Sequence, residues 1–265
     1  MRSLRSTRRF GFVRRLSGLL LLWISATAEL CAQPPLHFVF EDYPPYEYVE
    51  QGQVLGIHLS ILREVAQRLQ LEVRFEALPW LRALHMAEVG EVDGIFSLFQ
   101  TEERDRFLLF PTQPLSMETN VLFTARQHPV LVRSPEDLRG KSVGVVAGNA
   151  YGEWFDSADW IDKQAVTGSE RLLLKQADGR TDLSVSNAWV ARFLIDKLQI
   201  QDRIRQLDFV VSEAPLYIGF PRAKGDQSER LARQFSETLQ SMRAEGRIDA
   251  IIAEHRLDSL MPAER

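Results

Sequence analysis

Cysteine is almost missing from this chain: 265 residues carry one thiol, Cys31. A lone cysteine supports neither an internal disulfide framework nor a thiolate metal site. The five histidines, His37, His58, His85, His128 and His255, follow neither H-x-H nor H-E-x-x-H spacing, so the sequence calls for no metal. The glycine-bearing stretch at residues 148–152 (GNAYG) fits neither G-x-G-x-x-G nor the phosphate loop G-x-x-x-x-G-K-[ST], which removes the sequence case for a nucleotide. No cofactor is implied. The apolar run at residues 16–24 is too short to span a bilayer well.

That run has a different reading. Arg2, Arg5, Arg8, Arg9, Arg14 and Arg15 precede it and Ala26, Thr27 and Ala28 follow, the pattern of a secretory signal peptide over residues 1–32, cleaved after Ala28 or after Ala32. Arg8 and Arg9 form a twin-arginine pair, but Gly11 stands where that signal wants a bulky apolar residue, so ordinary export is expected. Cys31 could carry a lipid anchor, although Leu30 before it is larger than such a site favours. Removing residues 1–32 takes Lys+Arg from 32 to 26 and Asp+Glu from 36 to 35, a net charge of −9. So acidic a domain is a poor partner for nucleic acid or an anionic membrane surface.

What remains is ordinary in composition, 45% hydrophobic and 26% charged, and long enough for two compact lobes. Leu36–Phe40 reads as a strand leading into the turn Tyr43-Pro44-Pro45-Tyr46. Leu59, Leu62, Val65, Ala66 and Leu69 then recur at helical spacing. A strand at residues 73–75, a helix opened by Pro79 and a buried strand at residues 94–99 complete a strand–helix alternation that predicts a parallel α/β sheet. A second such unit starts beyond Pro114, with a polar connector at 134–140, strands at Ser142–Val146 and 183–186, and a helix over 188–198. Thr167/Glu170 and Asp226/Glu229 have capping-box spacing, residues 209–211 and 218–220 read as two strands, and 248–253 as a last helix. The glycines of 148–152 lead into a helix whose start offers N–H donors to an anion.

Residues 92–114 concentrate the candidate chemistry. A covered strand ends at Thr101, which can cap a short helix carrying Glu102, Glu103 and Arg104. Arg104 thereby sits beside the carboxyl end of a strand, where open α/β sheets take ligands, and its planar guanidinium suits a carboxylate. The plainer reading is a surface arginine paired with Glu102, Glu103 or Asp105.

Several stretches together decide between them. The turn at residues 43–46, Gly56 opening a helix, Leu78-Pro79-Trp80, Gly90-Glu91-Val92-Asp93-Gly94, Thr101-Glu102-Glu103-Arg104 and Asp137-Leu138-Arg139-Gly140-Lys141-Ser142-Val143-Gly144-Val145 resemble, in order, the family 3 solute-binding proteins of bacterial ABC importers. The resemblance implies an α/β two-lobed clamp of periplasmic-binding-protein type II, the second lobe inserted into the first across a two-strand hinge. Lobe 1 would be residues 34–112 and 215–257, lobe 2 residues 116–211, and 258–265 a C-terminal tail. Arg104 then matches the arginine that holds the ligand carboxylate, Trp80 the aromatic on which the ligand stacks, and Tyr43 an aromatic of the first loop. Ser97 falls in the strand where the family uses hydroxyls. Asn149 and Ala150 match the glycine-led helix start that closes over the carboxylate, with Tyr151 adjacent. The implied protein is a periplasmic monomer that hands a small polar or anionic solute to a membrane permease, and is not an enzyme.

Two departures stand out. Asn187 occupies the position, five after Asp182, where amino-acid binders carry an aspartate for the α-ammonium, and Ser60 replaces an acid after Gly56. A neutral amide is a weak partner for a desolvated ammonium, which predicts a solute with an anionic group and without an α-ammonium. The competing readings are an enzyme on the same scaffold, such as a dehydratase, and a soluble sensor docking on a membrane signalling partner.

Overall fold

The computed structural model describes residues 34–260, with side chains to residue 255. The expectations for the signal peptide, Cys31 and residues 261–265 lie outside them.

Chain order alternates as expected. Strand β1 (Leu36–Phe40) is followed by the hairpin β2 (Tyr48–Glu50) and β3 (Gln53–Leu55), helix α1 (Ile57–Arg68), β4 (Val73–Ala77), α2 (Trp80–Glu88), β5 (Gly94–Leu98), the single turn α3 (Glu102–Asp105) and β6 (Leu108–Leu109). Then come β7 (Ser116–Ala125), β8 (Ser142–Val146), α4 (Glu153–Asp156), β9 (Asp162–Val166), α5 (Ser169–Ala177), β10 (Leu183–Asn187) and α6 (Ala188–Lys197). The long β11 (Ile204–Pro221) and helices α7 (Asp226–Ala244) and α8 (Arg247–Leu260) close the described chain.

The strands run in the order β4-β1-β5-β11-β7-β10-β8-β9. In the first half, β1 pairs in parallel with β4 and β5, so Phe38, Val39 and Phe40 are covered on both faces. The rings of Phe38, Phe220 and Phe235 meet edge to face at 5.0–6.2 Å, the packing their quadrupoles favour. In the second half, β8 pairs in parallel with β9 and β10 around Leu183, Val143 and Phe155.

One strand, β11, belongs to both halves, and β7 runs beside it. Residues 216–212 of β11 pair with residues 116–120 of β7, while Tyr217, Ile218 and Gly219 of the same β11 pair with β5. Sequence patterning divides β11 into short strands at 209–211 and 218–220, whereas it is one strand of 18 residues. Its register shifts near Val210 and between Tyr217 and Ile218, and such bulges bend a strand without ending it.

Other expectations are corrected at helix starts. The box spacings at Thr167/Glu170 and Asp226/Glu229 do not cap, because Gly168 and Gly225 hold the N-cap positions without a side-chain bond. Thr167 instead accepts a bond from the Arg171 guanidinium at 2.7 Å. Pro79 is the residue before α2, and the last helix begins at Arg247 and is longer than 248–253. Thr101 does cap α3, its hydroxyl accepting the Arg104 N–H at 3.2 Å.

Candidate binding site

Three local structures converge on one cavity. Gly56, at φ 127°, begins α1 beneath the turn of residues 43–47, and a Cβ there would overlap the Tyr46 carbonyl. Only glycine admits this crossing, which lays Glu47 against His58. The end of β5 supplies Ser97 at φ 66°, a left-handed conformation that costs a non-glycine residue roughly 1 kcal/mol or more. From the second half, the turn after β8 brings Gly148 against α2, where an added Cβ would lie 2.6 Å from Leu81 and 3.2 Å from the Trp80 ring.

The cavity has a volume of about 30 Å³, room for about two waters, and is bordered by Tyr43, Trp80, Ser97, Arg104, Asn149 and Ala150 together with Glu41, Glu47 and Glu118. A wider groove of about 1120 Å³ lies outside it and shares Arg104, Asn149 and Ala150. Arg104 is not the surface residue of the plainer reading. It is 5% exposed and its guanidinium donates to two carbonyl oxygens, Phe99 O at 2.8 Å and Gly148 O at 3.0 Å, while lying 5.4 Å over the Trp80 ring. The Trp80 indole donates to the same Gly148 oxygen at 2.9 Å. No carboxylate pairs with Arg104 among the described residues, and burial pulls its pKa down to about 10. A desolvated cation held only by neutral dipoles is a seat for an anion.

Beside it runs a self-contained polar network. The Ser97 hydroxyl donates to Glu47 Oε2 at 2.6 Å, His58 Nδ1 lies 3.0 Å from the same oxygen and 2.6 Å from Ser97 Oγ, and His58 Nε2 lies 2.8 Å from Ser116 Oγ. Tyr46 stacks on the imidazole at 4.7 Å. Burial drives the His58 pKa down to about 3 and that of Glu47 well up, so it works against charge on both partners. Glu118, on β7, accepts from the Tyr43 hydroxyl at 3.0 Å and from the amides of Asn187 and Asn120. Burial raises its pKa, and those bonds oppose the rise. Glu41 is raised to about 7, by burial first and the Glu47 charge second.

Two predicted site residues do not border the small cavity. Tyr151 is buried in the second half, its hydroxyl accepting the Val146 N–H at 2.8 Å, and it lines the wider groove together with Arg104, Asn149 and Ala150. Asn187 caps α6: its Oδ1 accepts from the N–H groups of Trp189 at 2.7 Å and Val190 at 3.1 Å, and its amide points to Tyr46 and Glu118. The expected anion-receiving helix start is also corrected. The N–H groups of Tyr151 and Gly152 are taken by the Asp156 carboxylate at 2.9–3.1 Å, and α4 is a single turn.

A sheet in two halves joined through β11, with a cleft walled by both, defines a two-lobed binding clamp of periplasmic-binding-protein type. The chain belongs to the bacterial extracellular solute-binding proteins, family 3, which it matches over residues 37–257. It is 24% identical over 206 residues to the probable amino-acid-binding protein YxeM of Bacillus subtilis, spanning 76% of each chain. Among solved structures it resembles a histidine kinase sensor domain similar to periplasmic binding proteins, with TM-score 0.76, 23% identity and coverage of 84% and 96% of the two chains. It also resembles the amino acid ABC transporter substrate-binding protein AbpA from Streptococcus pneumoniae bound to L-arginine, with TM-score 0.72, 19% identity and coverage of 86% and 97%.

Proposed function

We propose that this chain is the periplasmic binding component of an ABC importer, capturing an amino acid or another small carboxylate-bearing solute between its lobes and presenting it to a membrane permease. Its lobes are residues 34–112 with 215–257, and 116–211, flexing about β7 and β11. The observation that carries this is Arg104, a buried guanidinium whose two hydrogen bonds go to neutral carbonyls. A solute carboxylate would replace the Gly148 oxygen with a charged acceptor, stack on Trp80 and meet the backbone at Asn149 and Ala150. A cavity of about 30 Å³ is too small for an amino acid, so entry requires the lobes to part before they close.

The enzyme alternative has one feature in its favour, the Ser116–His58–Glu47 line, whose order matches a nucleophile, base and acid. His58 is wholly buried, is driven neutral and shares its Nδ1 with Ser97. We read this line as a brace that ties α1 to β7.

The test is thermal unfolding of refolded, ligand-free protein against amino acids, amines, dicarboxylates and small peptides, repeated with Arg104→Ala. A solute at a hundred times its dissociation constant stabilises by about 2.7 kcal/mol, an easily read shift. A shift for a carboxylate class in the wild type and none in the variant is expected. Absence of any shift in the wild type would overturn the reading.

A further inference from the structure

One acid of the cavity stands at the boundary between the lobes. Glu41, in the turn after β1, borders the cavity from the first lobe. Its Oε1 lies 3.8 Å from where a Cβ on Gly168, in the second lobe, would stand. Gly168 is the residue before α5, a helix that no side chain caps. Glu41 does not serve as that cap either, since its carboxylate makes no hydrogen bond or ion pair among the described residues.

The charges around Glu41 are mostly of its own sign. Asp42 and Glu47 stand beside it in the first lobe. Across the boundary, Glu170 in the first turn of α5 acts on Asp42 against Lys197 at the end of α6. Two further cations are engaged elsewhere. Arg171, on α5, donates to the Thr167 hydroxyl, and Arg104 donates to the carbonyls of Phe99 and Gly148. From β7, Glu118 borders the same cavity with its Oε2 bonded to Tyr43.

An ionised Glu41 therefore opposes the approach of the second lobe. It loses water as Gly168 comes over it, and no cation or N–H group among the described residues takes that water's place. Burial first, then Glu47 and Asp42, raises its carboxyl to about 7 in this arrangement. When the lobes part, water returns and its hold on a proton falls toward that of an ordinary carboxylate.

We propose that Glu41 is a proton-operated closing device: protonated, it lets the second lobe settle over it, and ionised, it holds the lobes apart. This rests on the reading of the protein as a clamp that opens and closes about its hinge. The contacts that draw the lobes together, from the Arg104 guanidinium and the Trp80 indole to the Gly148 carbonyl, keep their charge state between pH 5 and pH 8. The sign follows from linkage. The closed form binds the Glu41 proton more tightly, so its population is greatest below about pH 4.5, falls as pH rises to about 7, and is level beyond. A solute that binds the closed form is then held more tightly in acid than at neutrality.

Small-angle X-ray scattering of the ligand-free protein reads the opening without knowledge of the solute. Wild type, Glu41→Gln, Glu41→Asp and Glu118→Gln are compared at pH 5 and pH 8, with the melting temperature of each reporting folding. The wild type should be more compact at pH 5, its closed-to-open ratio falling about tenfold or more by pH 8, the equivalent of at least one unit of pKa. Glu41→Gln should be compact at both, Glu41→Asp should keep a smaller response because its carboxyl stands further from Gly168, and Glu118→Gln should keep the response. Wild-type scattering that does not change with pH overturns the proposal. So does a response that survives in Glu41→Gln, or one that Glu118→Gln abolishes. In each of these cases the thermal panel above, with its Arg104→Ala contrast, decides the solute-site reading on its own.

Discussion

Arg104 and His58 both lie buried at the cavity end of the first lobe, and they treat their charge in opposite ways. His58 touches Glu47, Ser97 and Ser116, every ring nitrogen has a partner, and the imidazole stays neutral. Arg104 keeps a full charge, or nearly so, with carbonyl dipoles on two of its nitrogens and an aromatic face beneath. A network that satisfies itself contributes to folding, whereas a charge left to dipoles is held ready for something that comes from outside.

Breaking each side should therefore have different consequences. The largest effect is expected from Arg104→Ala, which should lower solute affinity by about 3 kcal/mol or more, two charge-assisted bonds, as read by calorimetry. The same variant should leave the urea midpoint of the ligand-free protein unchanged or raised, because a desolvated cation has been removed. His58→Ala should do the reverse. It strands Glu47 and Ser116 in the core and should cost about 3 kcal/mol of stability in urea unfolding, at unchanged solute selectivity. Trp80→Phe keeps an aromatic face under Arg104 but removes the indole donor to Gly148, and a change of about 1 kcal/mol in affinity is expected from titration.

The smallest effect concerns pH. Glu41 is raised to about 7, so the folded state binds its proton more tightly than the unfolded state, and stability declines as pH rises from about 4.5 to about 7. His58, lowered to about 3, acts oppositely: its contribution is lost as pH falls from about 6.5 toward 3. Glu41→Gln should raise the melting temperature by a few degrees at pH 8 and hardly at all at pH 4, which a pair of thermal scans will show.

Much of the cleft was legible because its parts are local. Thr101 capping the turn that bears Arg104, Trp80 just after a proline, and the apolar runs of β1 and β5 are signals within a few residues. His58 was not legible, since its partners lie 11, 39 and 58 residues away and only folding gathers them. The capping role of Asn187 had a local signal that the analogy passed over: an asparagine immediately before an apolar helical run is an N-cap. Strand β11 was split because Ser212, Glu213 and Pro215 resemble a turn, whereas they pair edge to edge with β7 where the strand passes between lobes.

The Gly148 carbonyl, grasped by both Arg104 and Trp80, has a consequence for dosage. On the proposed reading, an incoming carboxylate competes for Arg104 with a tethered occupant that is always present at the same effective concentration. Occupancy of the cleft would then be an exchange, its midpoint set by how much better a charged oxygen is than a peptide one. A mutation that alters the turn around Gly148 would retune that threshold without touching any atom of the solute.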